Sequence, residues 1–230
     1  MIDQATLTID IHGYWHNGTG RGSGSHLDAI VDTGHDGLPY LSGRHIKGLL
    51  RDAVYKAERW RQLDGFLTEA TDPAITITDV LFGKRNEPES RIPRDETTVG
   101  TLRIANAQLP REIRQWLAQE HEHRRYASHL HRDLSSTAID GLTGVARSRS
   151  LRGIQVNVPL TLSASIEAAL PPQVGPTGPD EVAHQRERDR IAQQWQEVLD
   201  RCLPLIRAVG AQRGRGLGRA SLSLSWEGRS

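Results

Sequence analysis

The stretch VNVPLTLSASI, residues 156–166, contains the longest two-residue alternation in the chain. Its apolar members are Val156, Val158, Leu160, Leu162, Ala164 and Ile166. Because successive side chains of a strand point to opposite faces, this pattern predicts one strand with a buried face. A long helical pattern follows from Asp180, with Ile191, Trp195, Val198, Leu199, Cys202, Leu205, Ile206 and Val209 on one face. The two segments together predict a strand packed against a helix.

The rest of the chain repeats this combination. Residues 5–12 alternate, with Leu7, Ile9 and Ile11 on one face, and predict a first strand. Ser42 can cap a helix from Gly43, whose apolar residues recur at helical spacing: Ile46, Leu49, Leu50, Val54, Ala57 and Trp60. A second strand is indicated by Leu102, Ile104 and Ala107, and a last one by Ala220, Leu222, Leu224 and Trp226. The order predicts an α+β, ferredoxin-like (RRM-like) β-α-β-β-α-β core.

One region interrupts this order. Pro110 can open a helix from Arg111 to about Leu130, which is polar apart from Trp116 and Leu117. Such a helix suits an exposed insertion, so residues from about 108 to 150 are predicted as an inserted helical region. The stretch PPQVGPTGP, residues 171–179, has the composition of a linker before the last long helix. We expect residues 1–230 to form a single domain.

The composition narrows the function classes. The 230 residues are 37% hydrophobic and 25% charged, which is typical of a globular protein. The sequence has no apolar run near 18 residues and no signal-peptide pattern at its start, so we expect no membrane partner. The single Cys202 agrees with a reducing cytoplasm. Net charge is only +1, so the distribution of arginines carries more information than the total.

Two local strings indicate anion binding. In GAQRGRGLGRASL, residues 210–222, glycines alternate with arginines, and glycines allow a ligand backbone to approach the main chain closely. The alternative is a flexible turn with solubilising arginines. In LPYLSGRHIKGLLR, residues 38–51, Lys47 and Arg51 lie one helical turn apart and can reach one anion. The alternative there is a pair of ordinary exposed cations.

Five strings in chain order resemble motifs of the RAMP superfamily, the repeat-associated proteins of CRISPR systems. GLPYLSGRHIKGLLRDA (37–53) resembles its PyIPGSSLKGxxR motif, and WHNGTG (15–20) resembles LHIGGG after the first strand. VLFG (80–83) with TLRIANAQL (101–109) resembles LFG…GRLxVxDA. IDGLTGVARSRSLRGIQV (139–156) resembles IDRxTGxAxxxxLRxxExV, and the tail string resembles the family's glycine-rich loop. The chain is most similar to the backbone subunit of type III effector complexes.

This resemblance implies a cytoplasmic subunit of an antiviral defence complex that binds guide RNA, target RNA, further copies of itself and other CRISPR effector subunits. The insertion resembles the thumb with which backbone subunits press on the guide–target duplex. The implied RNA-binding residues are His16, Arg44, His45, Lys47, Arg51, Arg147, Arg149, Arg152, Arg213, Gly214, Arg215, Gly216, Gly218 and Arg219.

The resemblance also implies an endoribonuclease (hydrolase) activity. HLDAIVDTGHDGLPYL (26–41) resembles the loop whose aspartate cuts target RNA, and Asp28 is the matching residue, with Asp32 and Asp36 as alternatives. We expect Asp28 to be the metal ligand as well, holding Mg²⁺ or another divalent cation that RNA phosphate helps to coordinate. The alternative role for Asp28 is that of a turn residue.

Some positions depart from the family pattern, and other functions stay open. Arg44 and His45 replace the two serines of PGSS, while Gly141 and Gln155 stand where relatives have arginine and glutamate. The alternatives are a scaffold that does not cut, a capping subunit at one guide end, and a metal-independent guide-processing nuclease using His16 or His26. A zinc site is not indicated by His121, His123, His129 and His131, because His-x-His pairs on a helix point apart.

Overall fold

The computed structural model describes residues 3–20, 22, 27–67, 72, 75–84, 99–119, 121–169 and 179–226. Six strands are present in these ranges: β1 (Asp3–Ile11), β2 (Leu102–Ile104), β3 (His131–Ser136), β4 (Arg152–Asn157), β5 (Thr161–Ala168) and β6 (Ala220–Trp226). The α-helices are α1 (Gly43–Arg59), α2 (Ile77–Phe82), α3 (Arg111–Gln119), α4 (His121–Ala127), α5 (Pro179–Gln193) and α6 (Trp195–Cys202). Among the described residues, no helix combines the length and the apolar character needed to cross a membrane.

The main sheet has four strands in the order β2-β5-β1-β6. All three pairings are antiparallel, and Leu7 of β1 lies opposite Ala164 of β5 on one side and Leu224 of β6 on the other. Counting only its own strands, the sheet has the order 2-3-1-4, which is the ferredoxin-like order for a β-α-β-β-α-β chain. The predicted fold class is therefore confirmed.

One face of the sheet is covered by helices. Leu7, Ile9, Leu162 and Ile166 are all fully buried, and they belong to the same cluster as the apolar faces of α1 and α6. In the last strand Ala220 and Leu224 are buried as predicted, and Leu222 and Trp226 pack against the core from its margin. The sheet therefore has one dry face, and its other face is left open to solvent.

The start of α1 follows the predicted capping. Ser42 is the N-cap, and its Oγ accepts a hydrogen bond from the His45 backbone N–H at 3.3 Å. A Cβ on Gly43 would lie 2.2 Å from the Ile104 carbonyl oxygen, so a glycine is required where β2 passes the helix. At the other end, Trp60, the last apolar residue of the helical pattern, follows the end of the helix at Arg59 and is 60% exposed.

The longest alternating segment of the sequence, residues 156–166, belongs to two strands and not to one. Pro159 has no N–H to give to a ladder, and the chain changes partners around it. Leu162, Ala164 and Ile166 lie on β5 in the main sheet, whereas Val156 lies on β4, which pairs with β3 in a separate two-stranded sheet. We call the hairpin of β3 and β4 the ribbon, and the loop that connects its two strands, residues 137–151, the ribbon loop.

The predicted insertion contains more than helix. The polar helix predicted from Arg111 is present as α3 and α4, and a 3-10 turn, Ser128–Leu130, ends it where the prediction placed its end. The strand β3 then follows within residues 108–150, and only its pairing with β4 makes it recognisable. The predicted linker at 171–179 lies outside the described residues except for its last residue, Pro179, which begins α5.

Candidate functional site

The glycine-rich loop, residues 209–219, is fastened to the segment that follows β1. Gly218 N–H donates to the Tyr14 carbonyl and Ala211 N–H donates to the His16 carbonyl, at 2.8 and 2.7 Å. On its other side, Trp15 exchanges two backbone hydrogen bonds with Asn157 of β4. Residues 14–16 therefore join the glycine loop to the base of the ribbon.

The glycines of this loop have two different roles. A Cβ on Gly218 would lie 1.9 Å from the Val209 carbonyl oxygen, and one on Gly210 would lie 2.5 Å from the His16 carbonyl oxygen. Both residues are buried and have positive φ, so no other residue fits the backbone there. Gly214 and Gly216 are exposed and have open space around them. Arg213 and Arg215 belong to the same exposed 3-10 turn, so cations and accessible backbone lie together.

Two histidines lie beneath the loop. His45 Nε2 accepts a hydrogen bond from Gly210 N–H at 3.0 Å, which requires that nitrogen to be unprotonated. Burial, and next the positive charge of Arg213, lower the pKa of His45. His16 is only 4% exposed, and its Nδ1 lies 2.7 Å from the Gln155 carbonyl oxygen, to which it donates. Both side chains therefore support the loop, and direct RNA contact by either stays a prediction.

The first turns of α1 bring further cations to this side. Arg44 is exposed, and Lys47 is half-buried, so that burial and then the charge of Arg51 lower the pKa of Lys47. Arg51 itself turns inward: it donates to the Gly83 carbonyl at 2.8 Å and lies 3.6 Å from the Asp79 carboxylate. Lys47 and Arg51 thus lie close together as predicted, but Arg51 also anchors the end of α2.

Asp28 lies on a loop that adds to the edge of the ribbon. Asp28 N–H donates to the Gly153 carbonyl at 2.8 Å, and Gly153 N–H donates to Asp28 Oδ2 at 3.0 Å. One residue further on, Gln155 N–H donates to the Ala29 carbonyl at 2.9 Å, in a parallel bridge between Ala29 and Ile154. The Asp28 carboxylate is exposed and has one oxygen not engaged by this N–H. We call residues 27–36 the acidic loop.

The other two acids of the loop are held by neighbouring side chains. Asp32 Oδ2 accepts a 2.6 Å hydrogen bond from the Tyr40 hydroxyl, and this bond together with burial raises the pKa of Tyr40. Asp36 forms an ion pair with Arg114 of α3 at 3.0 Å and caps Leu38 N–H. Of the three acids, Asp28 is therefore the one whose side chain, among the described residues, is bound by a backbone N–H alone.

A divalent cation would find few ligands here. Within the described residues, no group of three or more His, Cys, Asp or Glu side chains is arranged to hold a metal ion. Asp28 can offer one carboxylate oxygen, and Mg²⁺ commonly binds through one or two carboxylates with substrate phosphate and water. The chain's own residues therefore fit a shared metal site and not a closed one.

Arg147, Arg149 and Arg152 lie on the ribbon, away from the glycine loop. All three are exposed, and Arg147 is 3.5 Å from Asp140. Hydrogen bonds from the backbone N–H groups of Thr143 and Leu142 lower the pKa of Asp140 and fix the turn. The loop also exposes apolar side chains, namely Ile139, Leu142, Val145 and Leu151.

The family model of the RAMP superfamily matches residues 8–221, which is most of the chain. The chain belongs to the RAMP superfamily. This match confirms the family predicted from the five motifs. A comparison with curated protein sequences found no match.

Two solved structures with the same fold are described as type III-B Cmr-beta. One is described as a cryo-EM structure of the type III-B Cmr-beta bound to cognate target RNA, with TM-score 0.62, 9% identity and 96% of each chain covered. Another is the Cmr-beta complex in its apo state, with TM-score 0.57, 10% identity and 98% of each chain covered. The protein is therefore a RAMP protein similar in fold to chains of type III effector complexes.

The open face of the RAMP sheet is lined by small hydroxyl residues. Rows across the strands include Ser165, Thr6 and Ser225, and next to them Ser163, Thr8 and Ser223. No aromatic side chain projects outward from β1, β5 or β6, all of which the structure describes to their ends. An RRM stacks bases on aromatic residues of this face, so this RAMP sheet lacks that means of holding RNA.

Sequence reasoning missed a buried polar network that joins the ribbon to the acidic loop. Asn157 is fully buried; its Oδ1 accepts from His131 Nδ1 at 2.8 Å and its Nδ2 donates to Asn17 Oδ1 at 2.6 Å. Asn17 in turn donates to the carbonyls of Asp32 and Tyr40. Asn157 falls at a polar position of the alternating run, two residues before Pro159, and this position is its one signal in the sequence.

Proposed function

We infer that this RAMP protein is a backbone subunit of a type III CRISPR effector complex, which binds guide RNA and repeats along it. The observation that carries this proposal is the glycine loop. It presents Arg213, Arg215 and the open backbone of Gly214 and Gly216 directly beside the first turn of α1, to which Gly210 is hydrogen-bonded through His45. Cations with accessible N–H groups are what phosphate oxygens require.

The grip on guide RNA is expected to ignore base identity. The hydroxyl-lined sheet offers no stacking surface, so affinity comes from phosphate contacts at the glycine loop and the start of α1. Target specificity then comes from base pairing with the guide, as in other RNA-guided systems. Other effector subunits and target RNA are further partners, and the cytoplasm is the compartment in which we expect antiviral defence of this kind.

The ribbon is the part best suited to act as the thumb. Its loop carries Leu142, which is 100% exposed, beside the cations Arg147 and Arg149. Apolar side chains that no other part of the described chain covers, flanked by cations, suit insertion against stacked bases of an RNA duplex. We therefore assign the thumb role to the ribbon and not to the polar helices for which the sequence suggested it.

Cleavage of target RNA is assigned to Asp28. Gly153 N–H holds one carboxylate oxygen, which orients the other toward solvent on a loop fixed to the thumb. A divalent cation bound by that oxygen and by RNA phosphate would supply charge neutralisation at the cleaved phosphate. Asp28 itself binds and orients, and its contribution to guide affinity is small because a carboxylate and a phosphate repel each other.

A scaffold that does not cut is the second candidate. It is favoured by the hydrogen bond between Asp28 and Gly153, which gives this acid a structural task, and by the lack of a three-ligand cluster among the described residues. A guide-processing nuclease is less well supported, because His16 is buried and hydrogen-bonded to a carbonyl, while His26 lies outside the described residues. A capping subunit would bind one guide end and would not repeat along the guide.

Copurification tests the proposal. Coexpressed with its own CRISPR array, the protein should be recovered in an assembly that contains several copies of itself and a short RNA with a repeat-derived tag. Sequencing the bound RNA and measuring the mass of the assembly give the two readouts. An RNA-free monomer from that experiment would rule the proposal out, and a single copy per guide would favour the capping subunit.

A further inference from the structure

Four rings lie in a row on the exposed side of α3 and α4. Trp116 stacks on His123 with ring centroids 4.2 Å apart and planes 18° from parallel. Tyr126 lies 5.5 Å from Trp116, and His129 lies 6.3 Å from Tyr126. His123 Nδ1 is also 2.9 Å from the Trp116 carbonyl oxygen, which fixes the first pair. We call these four residues the ring row.

The ring row lies outside the main core. Leu117 is the buried residue of α3 and joins the main core, whereas Trp116 and Tyr126 are 44% and 54% exposed. An exposed tryptophan and tyrosine in one cluster form a surface that water covers poorly. Such a surface in a protein of this size indicates a ligand or a partner.

The chemistry of the row favours RNA over protein. Arg124 and Arg125 are exposed next to the rings and form no ion pair within the part of the chain that the structure describes. Arg125 directly precedes Tyr126 in α4 and comes four residues before His129 at the end of the row. Ile113 is the single large exposed aliphatic residue of α3, and a protein partner would require a broader apolar centre. Aromatic faces with cations beside them suit nucleotides, whose bases stack while phosphates meet charge.

The row ends close to the ribbon. His129 lies two residues before His131, where β3 begins, and Ser135 of β3 is opposite Gly153, the residue that holds Asp28. Within β3, four residues, or about 13 Å at roughly 3.3 Å per residue, separate His131 from Ser135. An RNA strand of a few nucleotides can therefore reach from the acidic loop to the ring row.

We propose that the ring row binds an unpaired segment of RNA by stacking its bases. Bases inside a duplex already stack on each other, so the ligand is single-stranded. The inference rests on the proposed function, because it assumes that the protein meets RNA. It adds a second contact that depends on bases, whereas the glycine loop contacts phosphates.

Two oligonucleotides of equal charge test the proposal. The full-length protein is titrated with a 12-nucleotide oligouridine and with an abasic ribose-phosphate strand of the same length, at one salt concentration. The wild type should prefer the oligouridine, and Trp116→Ala with Tyr126→Ala should weaken oligouridine binding by about tenfold and leave abasic binding unchanged. Trp116→Phe with Tyr126→Phe should restore most of the preference.

The matched control is the other exposed aromatic pair. Tyr55 and Trp60, at the end of α1, are 48% and 60% exposed, and their replacement by alanine should leave both affinities unchanged. If the Trp116/Tyr126 double variant keeps the wild-type preference for oligouridine, the inference is wrong. This conclusion holds even if the same variant no longer assembles with other subunits. If the wild type binds neither strand, the proposed function itself fails, which is a different pattern from loss of base preference alone.

Discussion

The glycine loop and the ribbon loop both expose arginines, but they rest on different supports. In the glycine loop, Arg213 and Arg215 are exposed, but buried backbone contacts support the loop. Gly210 and Gly218 lie so close to carbonyl oxygens that a Cβ would not fit at either position. In the ribbon loop, residues 137–151 are held by a turn around Asp140, and Leu142 is fully exposed. Mutations in the first region should change stability and binding together, whereas in the second they should change binding alone.

The acidic loop shares features of both regions. Its Asp28 carboxylate is exposed, and it also accepts a hydrogen bond from the Gly153 N–H of the ribbon. We expect the largest effect there. Asp28→Ala and Asp28→Asn should each reduce target RNA cleavage by on the order of a hundredfold or more, because either change removes the charge that orients the reaction. Asparagine keeps an oxygen for Gly153 N–H, so this variant separates charge from structure.

The controls are Asp32→Asn and Asp36→Asn, measured as cleavage per bound target RNA in Mg²⁺. If cleavage is lost with Asp32→Asn and kept with Asp28→Asn, the loop alignment is shifted by one acid. Normal cleavage by all three variants would refute the catalytic role of this loop. A wild type that never cuts paired target RNA would leave the scaffold as the function.

Glycine replacements should separate crowding from backbone strain. Gly218→Ala should destabilise the protein by about 3 kcal/mol or more, because it combines positive φ with a Cβ that meets the Val209 carbonyl. Gly216→Ala has positive φ but open space, so about 1 kcal/mol is expected, and Gly214→Ala should cost less still. Urea unfolding midpoints give the order, and equal losses for all three would contradict the buried support.

Sequence reasoning succeeded for the main sheet because its signals are local. The alternation in β1, β5 and β6 and the Ser42 cap each depend on neighbours within a few residues, so periodicity alone predicts them. The ribbon was missed for the opposite reason. His131–Ser136 has no alternation of buried and exposed apolar residues, and it is a strand because of its partner, β4.

The types of residue in the candidate site could be predicted from the sequence, but the role of each residue could be predicted less well. The exposed arginines of the glycine loop are where the motif suggested. His16 and His45 lie beneath the loop, and Gly210, which begins the tail string but was not among the predicted RNA-binding residues, makes the close approach to His16. Burial of a histidine depends on which distant segment covers it, and here the cover comes from residues far along the chain.

A smaller effect is expected from single cations at the glycine loop. Lys47→Ala and Arg215→Ala should each weaken RNA binding regardless of base sequence and lower the salt slope by about one counterion. Lys56→Ala is the control on the same helix, since Lys56 is paired with Asp52 at 2.7 Å on the outer surface. Affinities at several salt concentrations give the slope, and an unchanged slope in both variants would make these residues ordinary surface cations.

The smallest effect concerns protons at His45. Burial and the charge of Arg213 lower the pKa of His45 in the folded protein. Between this lowered pKa and the ordinary value of 6.5, the unfolded chain binds a proton at His45 and the folded chain does not. Stability should therefore be fully present above about pH 6.5 and decline as the pH falls through this window, because protonated Nε2 can no longer accept from Gly210 N–H. His45→Gln, whose side-chain oxygen can still accept, should flatten that part of the curve. Urea unfolding from pH 7.5 to 5 measures the difference between the two proteins, for which about 1.4 kcal/mol per pH unit is the ceiling for one titrating group.

The ribbon loop provides the contrast: Leu142→Ser should follow the wild-type curve throughout, since this fully exposed residue contributes little to the fold. Parallel curves for the wild type and His45→Gln would mean that His45 does not support the loop through Gly210.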